Sequence, residues 1–141
     1  MNKKYMDEGP RIFKGKQIST GKWVKGFFNQ FLGESSLISV INCCQKDHVV
    51  YPDSVCAATG LLDKDGELIF ENDICEFQIL DETPVLVHIC YMYGAFGFHP
   101  IHPEDVCEED RSWTPFMRDV EDPWDTSYFK VIGNKFDFND T

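Results

Sequence analysis

The sequence lacks the usual marks of catalysis. Its 141 residues hold no phosphate-cradling glycine loop, no nucleophile elbow and no H-E-x-x-H pair, so the common motif-borne chemistries are not expected. No run approaches the ~20 apolar residues a membrane helix needs, and no positive, apolar, small-residue stretch opens the chain as a secretory signal would. A cytoplasmic protein with no membrane partner is expected. Basic charge is scarce: 13 Lys and Arg stand against 24 Asp and Glu, for a net charge of −11. Cationic side chains bind a phosphate backbone by releasing its counterions, and a chain this acidic repels it, which argues against direct nucleic-acid binding. Paired C-x-x-C spacing is missing from Cys43, Cys44, Cys56, Cys75, Cys90 and Cys107. In a reducing compartment the even count is no disulfide framework, so these cysteines are expected as small core hydrophobes.

The residues present suit a small, mainly β fold. Hydrophobic residues make up 43% and charged residues 26%, close to the globular average, and a chain of this length fits one domain or two small lobes. Aromatic residues reach 14%, with 12 Phe, and such side chains favour pleated, half-buried surfaces. Residues 1–10, MNKKYMDEGP, show no period and end in Gly-Pro, so a flexible tail is expected. Lys3, Lys4, Arg11, Lys14, Lys16, Lys22 and Lys25 place 7 of the 13 basic residues in the first 25 positions, leaving the remainder strongly acidic.

Turn and strand signals then organise the chain. Short strands are expected around Gly15, with a turn at Ser19-Thr20-Gly21 and a new strand from Trp23. After a loop at Gly33-Glu34-Ser35-Ser36, a second hairpin from Leu37 to Tyr51 is expected to turn at Gln45-Lys46-Asp47. Together these form an N-terminal hairpin lobe over residues 11–55. A second lobe over 56–141 starts with the Asp63-Lys64-Asp65-Gly66 turn. Alternation of Ile74, Glu76 and Gln78 with Cys75, Phe77 and Ile79 gives a half-buried strand, and further strands are expected over Val85–Tyr93 and Tyr128–Phe138. Gly97, between Phe96 and Phe98, allows a bend or a ring packed across the strand. Residues 100–125 carry Pro103, Pro115 and Pro123 without a period and read as a long acidic loop or insertion.

The segment Thr59-Gly60-Leu61-Leu62-Asp63-Lys64-Asp65-Gly66-Glu67-Leu68-Ile69-Phe70-Glu71-Asn72-Asp73-Ile74 fits the pattern TGL-x-D-x-x-G-x-x-I-[YF]-E-x-D-I. Flanked by Arg11 to Lys16, Lys22-Trp23-Val24-Lys25-Gly26, Gly94-Ala95-Phe96-Gly97-Phe98 and Val131-Ile132-Gly133-Asn134, it resembles the YopX family of phage and prophage proteins over most of residues 11–138. The resemblance implies a largely β structure with a barrel-like, SH3-like C-terminal part, a bacterial host cell, and no catalytic residues or cofactor. The chain departs from the family in its acidic 100–125 segment and in Asn72, where Gly is usual. The pattern also has a plain physical reading. Gly60 and Gly66 bracket a turn that Leu61, Ile69 and Phe70 anchor, and Asp63 or Asp65 accepts backbone N–H groups inside it.

Three clusters invite chemistry. Asp63, Asp65, Glu67, Glu71 and Asp73 offer carboxylates to a hard cation, but the glycine falls at the fourth position where an EF-hand needs it at the sixth, so a hydrogen-bonded turn is the better reading. His99 and His102, with Cys90 and Cys107, could make a mixed nitrogen and sulfur zinc site. Two histidines three apart on an extended chain point to opposite faces, which favours loop or half-buried histidines. Cys43 or Cys44 with His48 could form a nucleophile pair, although nothing marks a lowered thiol pKa. No metal, cofactor or catalytic residue is therefore assigned from sequence.

The acidic segment is the remaining candidate. Glu108, Glu109 and Asp110, among other acids, are interleaved with Trp113, Phe116 and Trp124, an arrangement that suits either anchors for a basic protein partner or a solvated insertion whose aromatics pack inward. The function expected is non-enzymatic, through contact with a protein partner or self-assembly into a homo-oligomer. The alternatives are an acidic nucleic-acid mimic, which requires carboxylates along one face at phosphate spacing, and a metal-dependent hydrolase built on His99 and His102.

Overall fold

The computed structural model describes residues 12–34, 37–78, 80–92, 95–101, 114–115 and 128–137. The chain divides into two compact units, one over Asp7–Ala58 and one from Thr59 onward. The described residues are mainly antiparallel strands, as expected. Among them no helix is long and apolar enough to cross a membrane.

In the first unit β1 (Phe13–Lys16), β2 (Trp23–Leu32), β3 (Leu37–Cys43) and β4 (Lys46–Val49) form an antiparallel meander, and β5 (Cys56–Leu62) pairs with β1 through its first residues. β1 runs straight through Gly15, so the expected break there is a continuous strand. Space is tight at Gly15, where a Cβ would lie 3.1 Å from the Val50 side chain and ask it to yield by a few tenths of an ångström. The β3–β4 turn falls on Cys44 and Gln45, starting one residue before the Gln45-Lys46-Asp47 signal and overlapping it at Gln45. Both have positive φ, 57° and 64°, the twist a two-residue hairpin needs, and neither is a residue that announces it. Phe13, Phe28 and Ile41 share the inner face with Val50, the Phe rings 5.4 Å apart. Gly26 opposes Phe13, and a Cβ there would sit on the Asn42 carbonyl.

In the second unit β5 continues beside β6 (Leu68–Phe70). A five-stranded sheet follows, with β7 (Asp73–Phe77), β8 (Val85–Met92), β9 (Ala95–Pro100), β10 (Thr114–Pro115) and β11 (Phe129–Asn134) in the order β10-β9-β8-β7-β11. This sheet is open among the described residues, with β10 and β11 at its edges, so the barrel closure expected here is not formed. Leu61, Ile69, Cys75, Val87, Ile89, Phe98 and Phe129 make its core, and the Phe77 and Phe129 rings stand 4.8 Å apart. β9 runs on to Pro100 and β10 lies inside the segment read as a loop, so both ends of that reading are corrected to strand; residues 102–113 and 116–125 lie outside the described residues.

Two carboxylates lock the turns of this unit. Asp63 Oδ1 accepts the Asp65 and Glu67 N–H groups at 2.8 and 2.9 Å, and Oδ2 accepts Val131 N–H at 2.9 Å. Asp63 thus fills the accepting role that the sequence left open between Asp63 and Asp65, with Gly66 at φ 83° completing the turn. Asp73, fully buried, accepts Phe70 N–H at 2.8 Å and the Asn134 side-chain amide at 2.9 Å. Asn72 has φ 70°, a conformation that Gly or Asn tolerates, which accounts for the family's usual glycine there.

Candidate functional site

On β8 the even and odd side chains part company. Val87 and Ile89 enter the core, while His88 and Cys90, two residues apart, share the opposite face. His88 is the direct cross-strand partner of His99 on β9, and Cys90 is the partner of Gly97. This register brings His88, Cys90 and His99 together, each half-buried, with their ligand atoms within 4.8 Å of one another. The two imidazoles meet edge to face, centroids 5.0 Å apart, with His88 Nδ1 3.1 Å from His99 Nε2. The outer nitrogens face oxygens: His88 Nε2 is 3.0 Å from Asn72 Oδ1, and His99 Nδ1 is 3.1 Å from Pro100 O. Burial lowers the His88 pKa to about 4, helped by the neighbouring His99 and by the positive charge of Lys135.

This cluster overlaps only half of the zinc set read from sequence. Cys90 and His99 belong to it, whereas His102 and Cys107 lie outside the described residues. His88 was missed, although an H-x-C spacing on a strand places both side chains on one face. What the sequence does not reveal is which residue of β9 stands opposite, since the register comes from the whole sheet.

The other candidates disperse. The Asp63 cluster is a turn whose named oxygens are occupied by backbone N–H groups. Cys43 and Cys44 place their sulfurs 3.5 Å apart, and that contact raises the Cys43 pKa, the wrong direction for a thiolate nucleophile. His48 Nδ1 pairs with Gln17 Oε1 at 3.2 Å. Cys56 and Cys75 are buried as expected, but Cys44 is exposed at the tip of its hairpin, where no core reaches it. A cavity of about 300 Å³ is lined by Lys64, Glu76, Gln78, Leu80, Tyr128 and Lys130 and holds no histidine. Trp113, Phe116, Trp124, Glu108, Glu109 and Asp110 all lie outside the described residues.

A different surface stands out in the first unit. The register Phe27↔Asn42, Asn29↔Val40, Phe31↔Ile38 and Val40↔Val49 puts Phe27, Phe31, Ile38 and Val49 on one face, around the buried Val40 and beside the polar Asn29 and Asn42. Phe27 and Phe31 remain 52% and 47% exposed and Val49 46%, with Leu32 and Leu37 more exposed still at the hairpin end.

No curated protein matches the chain. Among solved structures, the crystal structure of protein EF1440 from Enterococcus faecalis is similar, at 15% identity over 88% of this chain and 92% of that one, with a TM-score of 0.46. The model of the family described as YopX protein matches residues 12–137, a stretch that includes both the Asp63 and Asp73 locks and the outward face of the meander. The chain belongs to the YopX family.

Proposed function

We propose that this protein is a non-enzymatic phage or prophage accessory protein that works by protein–protein contact, in the first place with a second copy of itself. The outward face of β2, β3 and β4 carries the reading. Phe27, Phe31 and Val49 stand on one face of the meander around the buried Val40, each left about half in water, and exposed apolar groups that share a face mark contact surfaces where singly scattered ones do not. Covering the exposed half of each ring contributes on the order of 1 kcal/mol.

Charge favours a second copy as the occupant. Asp7–Ala58 holds six basic and five acidic residues, whereas 59–141 holds five basic and nineteen acidic. Two copies that meet through the N-terminal unit keep their strongest like charges out of the contact. The aromatic face, rather than the free edge of β4, is the route, because the Val49 carbonyl already accepts Ile18 N–H at 3.0 Å and Gln17 bridges to Val50.

Light scattering over a range of concentrations tests this reading. The wild-type chain should show a dimer or larger species, and Phe27→Asp with Phe31→Asp should give a monomer with unchanged circular dichroism. A wild-type monomer throughout, or an oligomer indifferent to both substitutions, contradicts the proposal.

A further inference from the structure

The paired imidazoles pose a problem of proton placement. Pro100 O can only accept, so its 3.1 Å contact assigns the His99 proton to Nδ1 and leaves Nε2 a bare lone pair. With Asn72 Oδ1 accepting at 3.0 Å, the His88 proton sits on Nε2 and its Nδ1 is bare too. The two lone pairs then face each other at 3.1 Å, an arrangement that calls for a positive species between them. That species is either an added proton or a metal ion. The third side chain favours the metal. Cys90 lies one alternation along the same strand face, its cross-strand partner Gly97 adds no side chain beside it, and all three ligand atoms fall within 4.8 Å.

The geometry points to a zinc-class metal site held by His88 Nδ1, His99 Nε2 and Cys90 Sγ, with a fourth position for water or an added ligand. Zinc–nitrogen bonds of 2.0–2.1 Å at tetrahedral angles put two imidazole nitrogens roughly 3.3 Å apart, close to the separation already present. Seating the ion takes a modest side-chain rotation to bring the thiol in. A set of two imidazoles and a thiolate is too soft for magnesium or calcium and suits zinc, cobalt or copper. Asn72 Oδ1 and Pro100 O play the part that outer hydrogen-bond acceptors play around zinc, fixing each ring's tautomer and aim. Lys135 is an opposing charge near His88, and a Cys90 thiolate offsets it. The inference stands apart from self-association, since its residues all lie on β8 and β9.

A metal-free arrangement exists as well. Turning the Asn72 amide over would present its NH₂ to His88 Nε2 and let His88 Nδ1–H donate to His99. Cobalt separates the two. Full-length protein, stripped with a chelator and titrated with cobalt(II), should develop tetrahedral d–d absorption and a thiolate-to-cobalt charge-transfer band, saturating at one ion per chain and bleached by zinc. Cys90→Ser should abolish the charge-transfer band, and His88→Gln or His99→Gln should each weaken cobalt binding by at least about 10-fold. Cys44→Ser, which alters an exposed thiol of the other unit, should leave the spectrum unchanged. Alkylation of the wild-type chain guards against misfolded variants: zinc should slow modification of Cys90 several-fold while leaving Cys44 untouched. A charge-transfer band that survives Cys90→Ser overturns the site, as does the lack of any band with Cys90 alkylated equally fast with and without zinc.

Discussion

Between Asp7 and Ala58 the chain leaves Phe27 and Phe31 in water and keeps its charges nearly balanced, whereas from Thr59 onward it buries Phe70, Phe98 and Phe129 and carries the chain's negative charge. Strands of similar composition serve opposite ends in the two units. In the first, a face that leaves Phe27, Phe31 and Val49 half in water, with the exposed Asn42–Asp47 hydrogen bond beside Phe27, suits contact with another molecule. In the second, buried carboxylates satisfy the turns, and the outer strand face is given over to His88, Cys90 and His99. The residues that define the family pattern belong to this second scheme. Asp63 and Asp73 hold backbone and amide donors, so the pattern records how the unit folds.

The sharpest way to break this contrast is Asp73→Ala. It leaves Phe70 N–H and the Asn134 amide without this acceptor in a fully buried place, and should cost about 3–5 kcal/mol in urea unfolding. Hydrogen exchange should show the loss across β6, β7 and β11. Gly26→Ala is the matching insult to the first unit. Its methyl must displace the Asn42 carbonyl, and a loss of about 2–3 kcal/mol with deprotection centred on β2 and β3 is expected.

A smaller effect comes from pH. The neutral form of His88 is favoured in the fold, where its pKa of about 4 lies below the ordinary 6.5, because burial desolvates the charged ring and the adjoining His99 and Lys135 oppose added positive charge. Its share of stability is full above pH 6.5 and is lost as pH falls toward 4, because there the unfolded chain binds the proton first. With the ring only half-buried, the share is on the order of 1 kcal/mol after solvent screening. Metal-free wild type should therefore lose more stability across that window than His88→Gln. Smallest of all, Phe27→Ser should move monomer stability by no more than about 0.5 kcal/mol while still weakening association, which separates a contact residue from a core residue.

Much of this fold could be read from the sequence because local chemistry dictated it. Asp63-Lys64-Asp65-Gly66 is a turn by its own side chains, and the alternation after Ile74 announces a half-buried strand. The β3–β4 hairpin was legible but its turn was placed a residue late, because Cys44 and Gln45 take positive φ without being the residues that favour it; the tight pairing of Cys43 with Lys46 imposes it on them. The histidine cluster was half legible. Cys90 and His99 drew attention as potential ligands, but their partner is set by sheet register, a property of neither strand alone. The outward apolar face of the meander escaped for a similar reason: Phe27 and Phe28 look alike in sequence, and only the sheet decides which meets Phe13 and which meets water.

The division of labour between the units is tested most directly by hydrogen exchange read by mass spectrometry, on the full chain at low and high protein concentration and with and without zinc. The account predicts that raising the concentration protects residues 27–49, that zinc protects residues 85–100, and that neither treatment reproduces the other's pattern. Protection by both treatments in the same unit, or by neither in either unit, would contradict it.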